Sequence, residues 1–195
     1  MSAPNEPLAM PKRYITTHNG EGLAIFSSHV QEEAPESSLS DGMRISFCYA
    51  TTEFPATLSE DQDIKAYETL IQKPPSIVVS NGSVARIVDF PPGHVGTMHR
   101  TVSVNYNFVI QGQLELELDS GETRLLGPGD MVVQRAINHA WRNPSKTSWA
   151  RIAAMALPAK GITVGGRAME ETRLPSMSGS ERVTESEAIS SSPRS

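Results

Sequence analysis

The sequence has one cysteine, few aromatic residues and no long hydrophobic run. The lone Cys48 excludes a disulfide within the chain, and a single thiol is typical of proteins in reducing compartments. No apolar stretch is long enough to cross a bilayer, and residues 1–11 lack the apolar segment of a signal peptide. The final Ser-Pro-Arg-Ser is not a peroxisomal address. These absences predict a cytoplasmic protein with no membrane partner.

Clustered positive charge is also absent. Lysine and arginine total 17 against 22 acidic residues, which gives a net charge of −5. Without a basic run, the chain is not expected to bind nucleic acid. It also lacks a nucleophile elbow, a phosphate-binding loop and a paired-cysteine motif, and glycine-rich residues 161–166 lack dinucleotide spacing. Any redox reaction would therefore need a metal, or a partner enzyme that brings the nicotinamide or flavin.

The length and composition predict one folded domain with flexible ends. Of the 195 residues, 38% are hydrophobic and 20% are charged, which is typical of a globular protein. We assign the domain to residues 13–160 and a flexible N-terminus to residues 1–12. Residues 161–195 are rich in Gly, Ser, Glu and Arg, and they cannot bury enough apolar area to offset ordering. We therefore predict a disordered tail there.

Short strands and glycine-rich turns dominate the rest of the chain. Leu114, Leu116 and Leu118 alternate with polar residues, the period of two that a half-buried strand needs. By such patterns we predict strands at 13–17, 23–29, 45–51, 83–90, 113–118, 122–126, 131–133 and 149–157. Residues 31–42 are interpreted as a surface loop, and 62–72 as the one helix, capped by Ser59. The pattern indicates a closed or sandwiched antiparallel β architecture.

Two motifs carry a resemblance to a known family. The first runs from Gly93 through His99 to Gly112, and the second from Gly129 through His139 to Asn143. Their spacing resembles the two motifs of the cupin superfamily. The segments PPG…MHRT, LDSGE, GD…VQR, HAWRNPSKT and WAR further resemble small fungal cupin-domain proteins of polyketide biosynthetic gene clusters, the salicylaldehyde-type ones in particular.

The resemblance implies a fold and a setting. The fold is all-β, a double-stranded β-helix (jelly-roll-like) barrel with one short helix, and it implies a homodimer formed through the N-terminal strands. The setting is a tailoring step in fungal secondary metabolism, on a small hydrophobic, polyketide-like substrate. Some relatives are described as oxidoreductases acting towards salicylaldehyde-type products.

The resemblance also defines the metal site of the family, which this chain keeps only in part. A complete site has three histidines and one carboxylate, holding Fe, Mn, Ni or Zn. Here Thr101 stands in place of the second histidine and Asn105 in place of the glutamate, which leaves His99 and His139. We therefore expect no cofactor beyond a weakly bound divalent metal. His94, on the same glycine-rich turn, is interpreted as an exposed loop residue.

Two histidines in an apolar barrel can also perform acid–base chemistry without a metal. An unperturbed imidazole titrates at pH ~6.5, so modest changes in surroundings decide which histidine gives a proton and which takes one. We predict His99 and His139 as the catalytic pair, for a lyase or isomerase reaction such as dehydration, cyclisation or decarboxylation. The alternatives are a metal-dependent oxidoreductase and a cupin that binds a small molecule without changing it.

Five further residues are candidates for substrate binding. Thr101 and Asn105 can hydrogen-bond a carbonyl or hydroxyl, while Trp141 and Asn143 follow His139 on the same strand face. Trp141 is either a platform for a flat substrate or an ordinary core residue. Arg86 is either a carboxylate ligand or a surface residue.

Overall fold

The computed structural model describes residues 6–172, whose regular secondary structure consists mostly of β-strands. One α-helix, α1, spans Gln62–Gln72. None of the helices in this part of the chain is long and apolar enough to span a membrane. The strands are β1 Thr16–His18, β2 Ala24–Phe26, β3 Glu36–Ser38, β4 Arg44–Thr51, β5 Ser83–Phe90, β6 His99–Arg100, β7 Ser103–Gln111, β8 Leu114–Leu118, β9 Thr123–Leu126, β10 Met131–Arg135, β11 Asn138–Arg142, β12 Ala150–Pro158, β13 Thr163–Val164 and β14 Arg167–Ala168.

Two antiparallel sheets enclose the main core. The larger has the strand order β10-β7-β12-β5-β4-β3, and the smaller has the order β6-β11-β8-β9. Alternate residues of both sheets point between them, where apolar side chains pack into one cluster. That buried cluster consists of Val88, Phe90, Val109, Leu114, Leu116, Trp141, Ala150 and Ile152. The predicted all-β barrel with one short helix is confirmed.

The helix covers a second, smaller core at one end of the larger sheet. Tyr67 of α1 is fully buried, and its hydroxyl donates to the Phe47 carbonyl at 2.7 Å. The bounds of α1 match the sequence prediction, but its predicted cap does not. A 3-10 turn over Ser59–Asp61 precedes the helix, Asp61 is its N-cap, and no side chain caps it. Ser59 is therefore not the cap.

Most predicted strands are present. One strand that was not predicted, β3, forms by pairing with the edge of the larger sheet. Residues 31–42 contain β3, whose Glu36 pairs with Ser46 of β4 at the edge of the larger sheet. The predicted surface loop is thus wrong at its centre. Pairing with an existing edge satisfies the backbone of a polar segment that has no strand pattern of its own.

The N-terminal segment is tied to the sheet from residue 8 onward, contrary to the flexible residues 1–12 expected. Leu8 is buried, and its carbonyl accepts from Arg44 Nη2 at 2.7 Å. The Ala9 carbonyl accepts from Arg151 Nη2 at 2.8 Å. Both guanidinium groups also bind the buried carboxylate of Asp89. One ion cluster therefore fastens this segment against the outer face of the larger sheet.

The C-terminal segment also differs from the prediction of a tail disordered from residue 161. Strands β13 and β14 pair as a short hairpin. Beyond it, Thr172 forms a bridge with Arg100, and its Oγ1 accepts from the Arg100 amide at 2.6 Å. The Glu171 carboxylate accepts from the Val102 amide at 3.0 Å. The backbone amides of Arg100 and Val102 thus hold the end of segment 161–172, although this segment has no apolar pattern. Residues 173–195 of the predicted tail lie outside the described residues.

Candidate active site

The two histidines predicted as the catalytic pair lie side by side. His99 on β6 and His139 on β11 are direct partners in the strand register, and their ring centroids are 4.4 Å apart. His139 is buried and His99 is partly exposed. His139 lies on the same inward face of β11 as Trp141 of the main core, so the pair lines the interior of the barrel.

Each imidazole is held through the same ring nitrogen. His99 Nδ1 lies 2.9 Å from the Thr97 carbonyl oxygen, and His139 Nδ1 lies 3.2 Å from that of Ile137. A carbonyl can only accept, so Nδ1 carries the proton in each ring. Both Nε2 atoms then keep a free lone pair, and neither has a hydrogen bond within residues 6–172.

Burial keeps both histidines neutral at physiological pH. Burial, together with a smaller contribution from the neighbouring His99, lowers the pKa of His139 to about 4, against an opposing effect of the Ile137 carbonyl. Burial also lowers the pKa of His99, partly offset by the Thr97 carbonyl. Both rings therefore begin as bases, and either can act as an acid only after it has taken a proton.

Three amide side chains form a polar cluster on the facing sheet. Asn105 of β7 is the direct register partner of Gln134 of β10. Two residues along β7, Asn107 donates through Nδ2 to Gln134 Oε1 at 2.9 Å. Sequence reasoning singled out Asn105 but missed Asn107, although the period of two from Asn105 indicates that both share the inward face.

Thr101 and Trp141 are both buried residues on or next to the strands that carry the histidines. Thr101 is buried two residues after His99. Trp141 is an ordinary core residue by burial, with its ring centroid 6.3 Å from that of Phe90. Its ring also meets His139 edge-on at 6.5 Å, so the indole forms one wall beside the histidine pair.

Asn143 was predicted to bind substrate, but its side chain instead forms hydrogen bonds with the backbone of two loops. Its Nδ2 donates to the carbonyls of Phe90, Pro91 and Ser148, and its Oδ1 accepts from the Ser145 amide. With every polar atom engaged by the backbone, Asn143 clamps two loops and has nothing left to offer a substrate.

Arg86 was predicted as a carboxylate ligand or a surface residue, and it is neither. It points inward, and its guanidinium donates to the carbonyls of Pro75, Ser76 and Ile77. It also lies over the Phe47 ring, 5.9 Å from the centroid. Burial lowers its pKa to about 10. The arginine therefore anchors the segment that follows α1, because these carbonyls occupy its donors.

His94 was interpreted as an exposed loop residue and is instead 5% exposed. Its ring packs on Phe90 with the centroids 5.5 Å apart, and its carbonyl accepts from the Asn143 amide at 3.0 Å. The tight turn at 93–96 folds the imidazole inward against the core. His94 thus belongs to the packing of that turn, and burial lowers its pKa.

A cavity of about 200 Å³ lies at the β8–β9 edge of the smaller sheet. It is lined by Leu116, Leu118, Glu122, Thr123 and Arg124, and neither histidine lines it. Leu118 is the register partner of His139, so the cavity adjoins the strand next to the one that carries this imidazole. Across the barrel, Ala154 lies between buried Ile152 and Ala156 on the inward face of β12, whose small side chains leave room.

The residues present do not fit a tightly held divalent metal. The two free Nε2 atoms suit a metal, since ligating histidines commonly donate Nδ1–H to a carbonyl. The remaining family positions hold the neutral oxygens of Thr101 and Asn105, which bring no charge to offset that of the ion. Nowhere in residues 6–172 do three His, Cys, Asp or Glu side chains gather as a metal-binding group.

Comparison with known proteins agrees with this architecture. Residues 86–154 match the Cupin domain family. The chain is 42% identical over 160 residues to the phomopsin biosynthesis cluster protein D of Diaporthe leptostromiformis, which covers 82% of this chain and 85% of that protein. It is 39% identical over 171 residues to the oryzines biosynthesis cluster protein J of Aspergillus oryzae, covering 88% and 96%.

A third relative carries an enzyme name. The cupin-domain-containing oxidoreductase virC of Hypocrea virens is 38% identical over 136 residues, covering 67% of this chain and 66% of that protein. Among solved structures, the ethanolamine utilization protein Q of Salmonella typhimurium aligns with a TM-score of 0.44 and 13% identity, covering 78% of this chain and 99% of that one. By its long, closely related matches, the chain belongs to the cupin superfamily, among the cupin-domain proteins of fungal biosynthesis clusters.

Proposed function

We propose that the chain is a tailoring enzyme of fungal secondary metabolism that moves a proton on a small hydrophobic, polyketide-like intermediate. The observation that carries the proposal is the neutral histidine pair, with each Nδ1 held by a carbonyl and each Nε2 free. Such a pair, enclosed by apolar walls, is suited to general base catalysis. The biosynthetic setting rests on the relatives, whose names place them in biosynthesis clusters.

His99 acts first as the base. It is the less buried of the two rings, so its cationic form costs less to create. Its Nε2 takes a proton from a carbon next to a carbonyl of the substrate. The imidazolium so formed then returns this proton to a departing hydroxyl, which leaves as water, or to another carbon. The first outcome is a dehydration and the second an isomerisation, and both leave His99 as it began.

His139 assists by its position against the first ring. Its pKa of about 4 keeps it neutral while His99 carries the proton, so two like charges never face each other at 4.4 Å. Its free Nε2 can accept a hydrogen bond from the substrate or from the charged partner. Both rings are therefore needed, one as the proton carrier and one as an acceptor beside it.

Replacing either histidine tests the proposal. In a producing strain that carries His99→Ala or His139→Ala, the amount of final metabolite, measured by liquid chromatography and mass spectrometry, should fall about 10²–10⁴-fold. His18→Ala is the matched control, because His18 is exposed on β1 and remote from the barrel interior in the strand order. Folded variants with unchanged product would refute the acid–base role and leave a binding cupin that does not alter its ligand.

A metal-dependent oxidoreductase is the second candidate, because several relatives, virC among them, carry that name. The donor set of this chain argues for weak binding, so we expect the purified protein to carry far less than one equivalent of Fe, Mn, Ni or Zn. Elemental analysis by mass spectrometry after mild chelation measures this directly. Full occupancy that disappears in His99→Ala would favour the oxidoreductase over the acid–base enzyme.

A further inference from the structure

Among the buried polar atoms that lack a hydrogen-bond partner within residues 6–172, two lie on the neighbouring strands β7 and β10. Gln134 is only 3% exposed, and its Nε2 donates to nothing. Asn105 Oδ1 is likewise buried and accepts from nothing. Most buried polar groups in proteins are paired, and an unpaired one destabilises the fold, so two such atoms on adjacent strands call for a functional explanation.

The two atoms belong to facing residues. Asn105 and Gln134 are direct register partners, yet their side chains do not bond to each other. The next residue across the sheet from Asn105 is Ala156, and the next from Asn107 is Ala154. Because Ala154 and Ala156 are small, they leave space on the inward face of the sheet that larger side chains would fill.

Asn107 decides which end of Gln134 faces this space. Its Nδ2 occupies Gln134 Oε1 at 2.9 Å, so Gln134 is left to offer its N–H groups. Asn105 offers the opposite, an acceptor oxygen. The two unpaired buried atoms of the cluster are therefore a donor, Gln134 Nε2, and an acceptor, Asn105 Oδ1. All three members of the cluster, Asn105, Asn107 and Gln134, are uncharged amides.

We propose that Asn105 and Gln134 bind an uncharged substrate group that both donates and accepts a hydrogen bond, with a hydroxyl as the best match. Gln134 Nε2–H donates to the hydroxyl oxygen, and the hydroxyl donates to Asn105 Oδ1. A carboxylate has no proton to donate, and an ether or ketone has none either, so each leaves Asn105 unpaired. Asn107 is a positioning residue that acts through Gln134. The inference rests on the proposed function in taking the barrel interior as the substrate site.

The first test needs only the intact protein and two probe molecules. Benzyl alcohol both donates and accepts, whereas benzyl methyl ether only accepts. Titrations followed by ¹⁵N–¹H NMR should show the alcohol binding about tenfold more tightly than the ether. The side-chain amide signals of Gln134 and Asn107 should shift with the alcohol. Equal affinity for the two probes would overturn the proposal.

Variants then connect the preference to the residues. Gln134→Met keeps the length of the side chain but removes the donor, and it should abolish the preference for the alcohol. Gln113→Met is the matched control, because Gln113 is exposed outside the barrel, and it should leave the preference unchanged. A preference that survives Gln134→Met would place the alcohol elsewhere and refute the subsite.

The histidine variants separate this inference from the proposed function. His99→Ala should keep the alcohol preference while product formation is lost. If the preference is missing in the wild type but the histidines are still required, the subsite is wrong and the acid–base proposal stands. If the alcohol preference is present but the histidine variants make product normally, the subsite stands and the acid–base proposal is wrong.

Discussion

At the scale of single residues, the burial of His139 has a consequence for the pH dependence of stability. Its pKa is about 4 in the folded chain and ~6.5 when unfolded, so below pH 6.5 the unfolded chain binds the extra proton. The stability that neutral His139 contributes is complete above pH ~6.5 and is lost as the pH falls towards 4. The loss is about 3 kcal/mol. We expect urea unfolding at a series of pH values to show it.

A substitution isolates this contribution from those of the carboxylates. His139→Gln cannot titrate, so its free energy of unfolding should fall less than that of the wild type between pH 6.5 and pH 4. His18→Gln, on the exposed strand β1, should follow the wild type. If wild type and His139→Gln lose stability in parallel, the imidazole is not held neutral by burial.

The residues of the site were predictable from sequence to unequal degrees. His99 and His139 came from the resemblance to the two cupin motifs, which implies that both side chains project into the barrel. Asn143 was assigned to substrate because it shares a strand face with His139, and Arg86 because it shares the inward face of β5 with Val88 and Phe90. Their polar atoms are instead taken by loop carbonyls, and no local pattern shows which loops the fold will bring near a strand.

At the scale of elements, the helices and strands that could be predicted are those with a clear hydrophobic periodicity of their own. The helix α1 and the strand β5 begin and end where the periodicity indicated. The strand β7 escaped prediction, although it is the centre of the site. Its inward face carries Asn105 and Asn107 as well as Val109, so two amides interrupt the apolar alternation by which a strand is predicted.

The C-terminal segment 161–172 provides a prediction at this scale. Thr172 and Glu171 accept hydrogen bonds from the amides of Arg100 and Val102, on either side of Thr101. Replacing both acceptors, as Thr172→Val with Glu171→Leu, should speed hydrogen exchange at these two amides by about tenfold or more. Mass spectrometry or NMR would measure the rates.

A matched change in the same segment serves as the control. Glu170→Leu alters charge and polarity next to Glu171 without touching an acceptor of either amide, because only the Glu170 carbonyl is bonded, to Arg100 Nη1. The exchange rates at Arg100 and Val102 should then stay as in the wild type. If the double variant also leaves them unchanged, the segment does not protect β6 in solution.

At the scale of the whole molecule, the N-terminal hairpin leaves apolar side chains uncovered. Strands β1 and β2 pair only with each other among the described strands. Leu23 is 60% exposed and Phe26 is 71% exposed. Because exposed apolar patches mark contact surfaces, we propose that two copies of the chain associate through this hairpin.

Sedimentation or light scattering measures the assembly. The wild type should be a dimer, and Leu23→Ser with Phe26→Ser should shift it to monomer. A second apolar surface, on the outer face of the larger sheet, includes the register partners Tyr106 and Met155. If serine at those two positions gives monomers while the hairpin variant stays dimeric, the contact lies on the sheet.

The substitutions at Thr101 and Asn105 matter beyond this one chain. With His99 and His139 already oriented through Nδ1, only two side chains separate this barrel from the complete four-ligand centre of its family. Under the proposed function, replacing these two side chains would exchange proton transfer for metal chemistry while the backbone is conserved. Overall sequence identity then indicates a shared fold, and we expect an oxidoreductase name to apply only to relatives that carry metal ligands at the positions of Thr101 and Asn105.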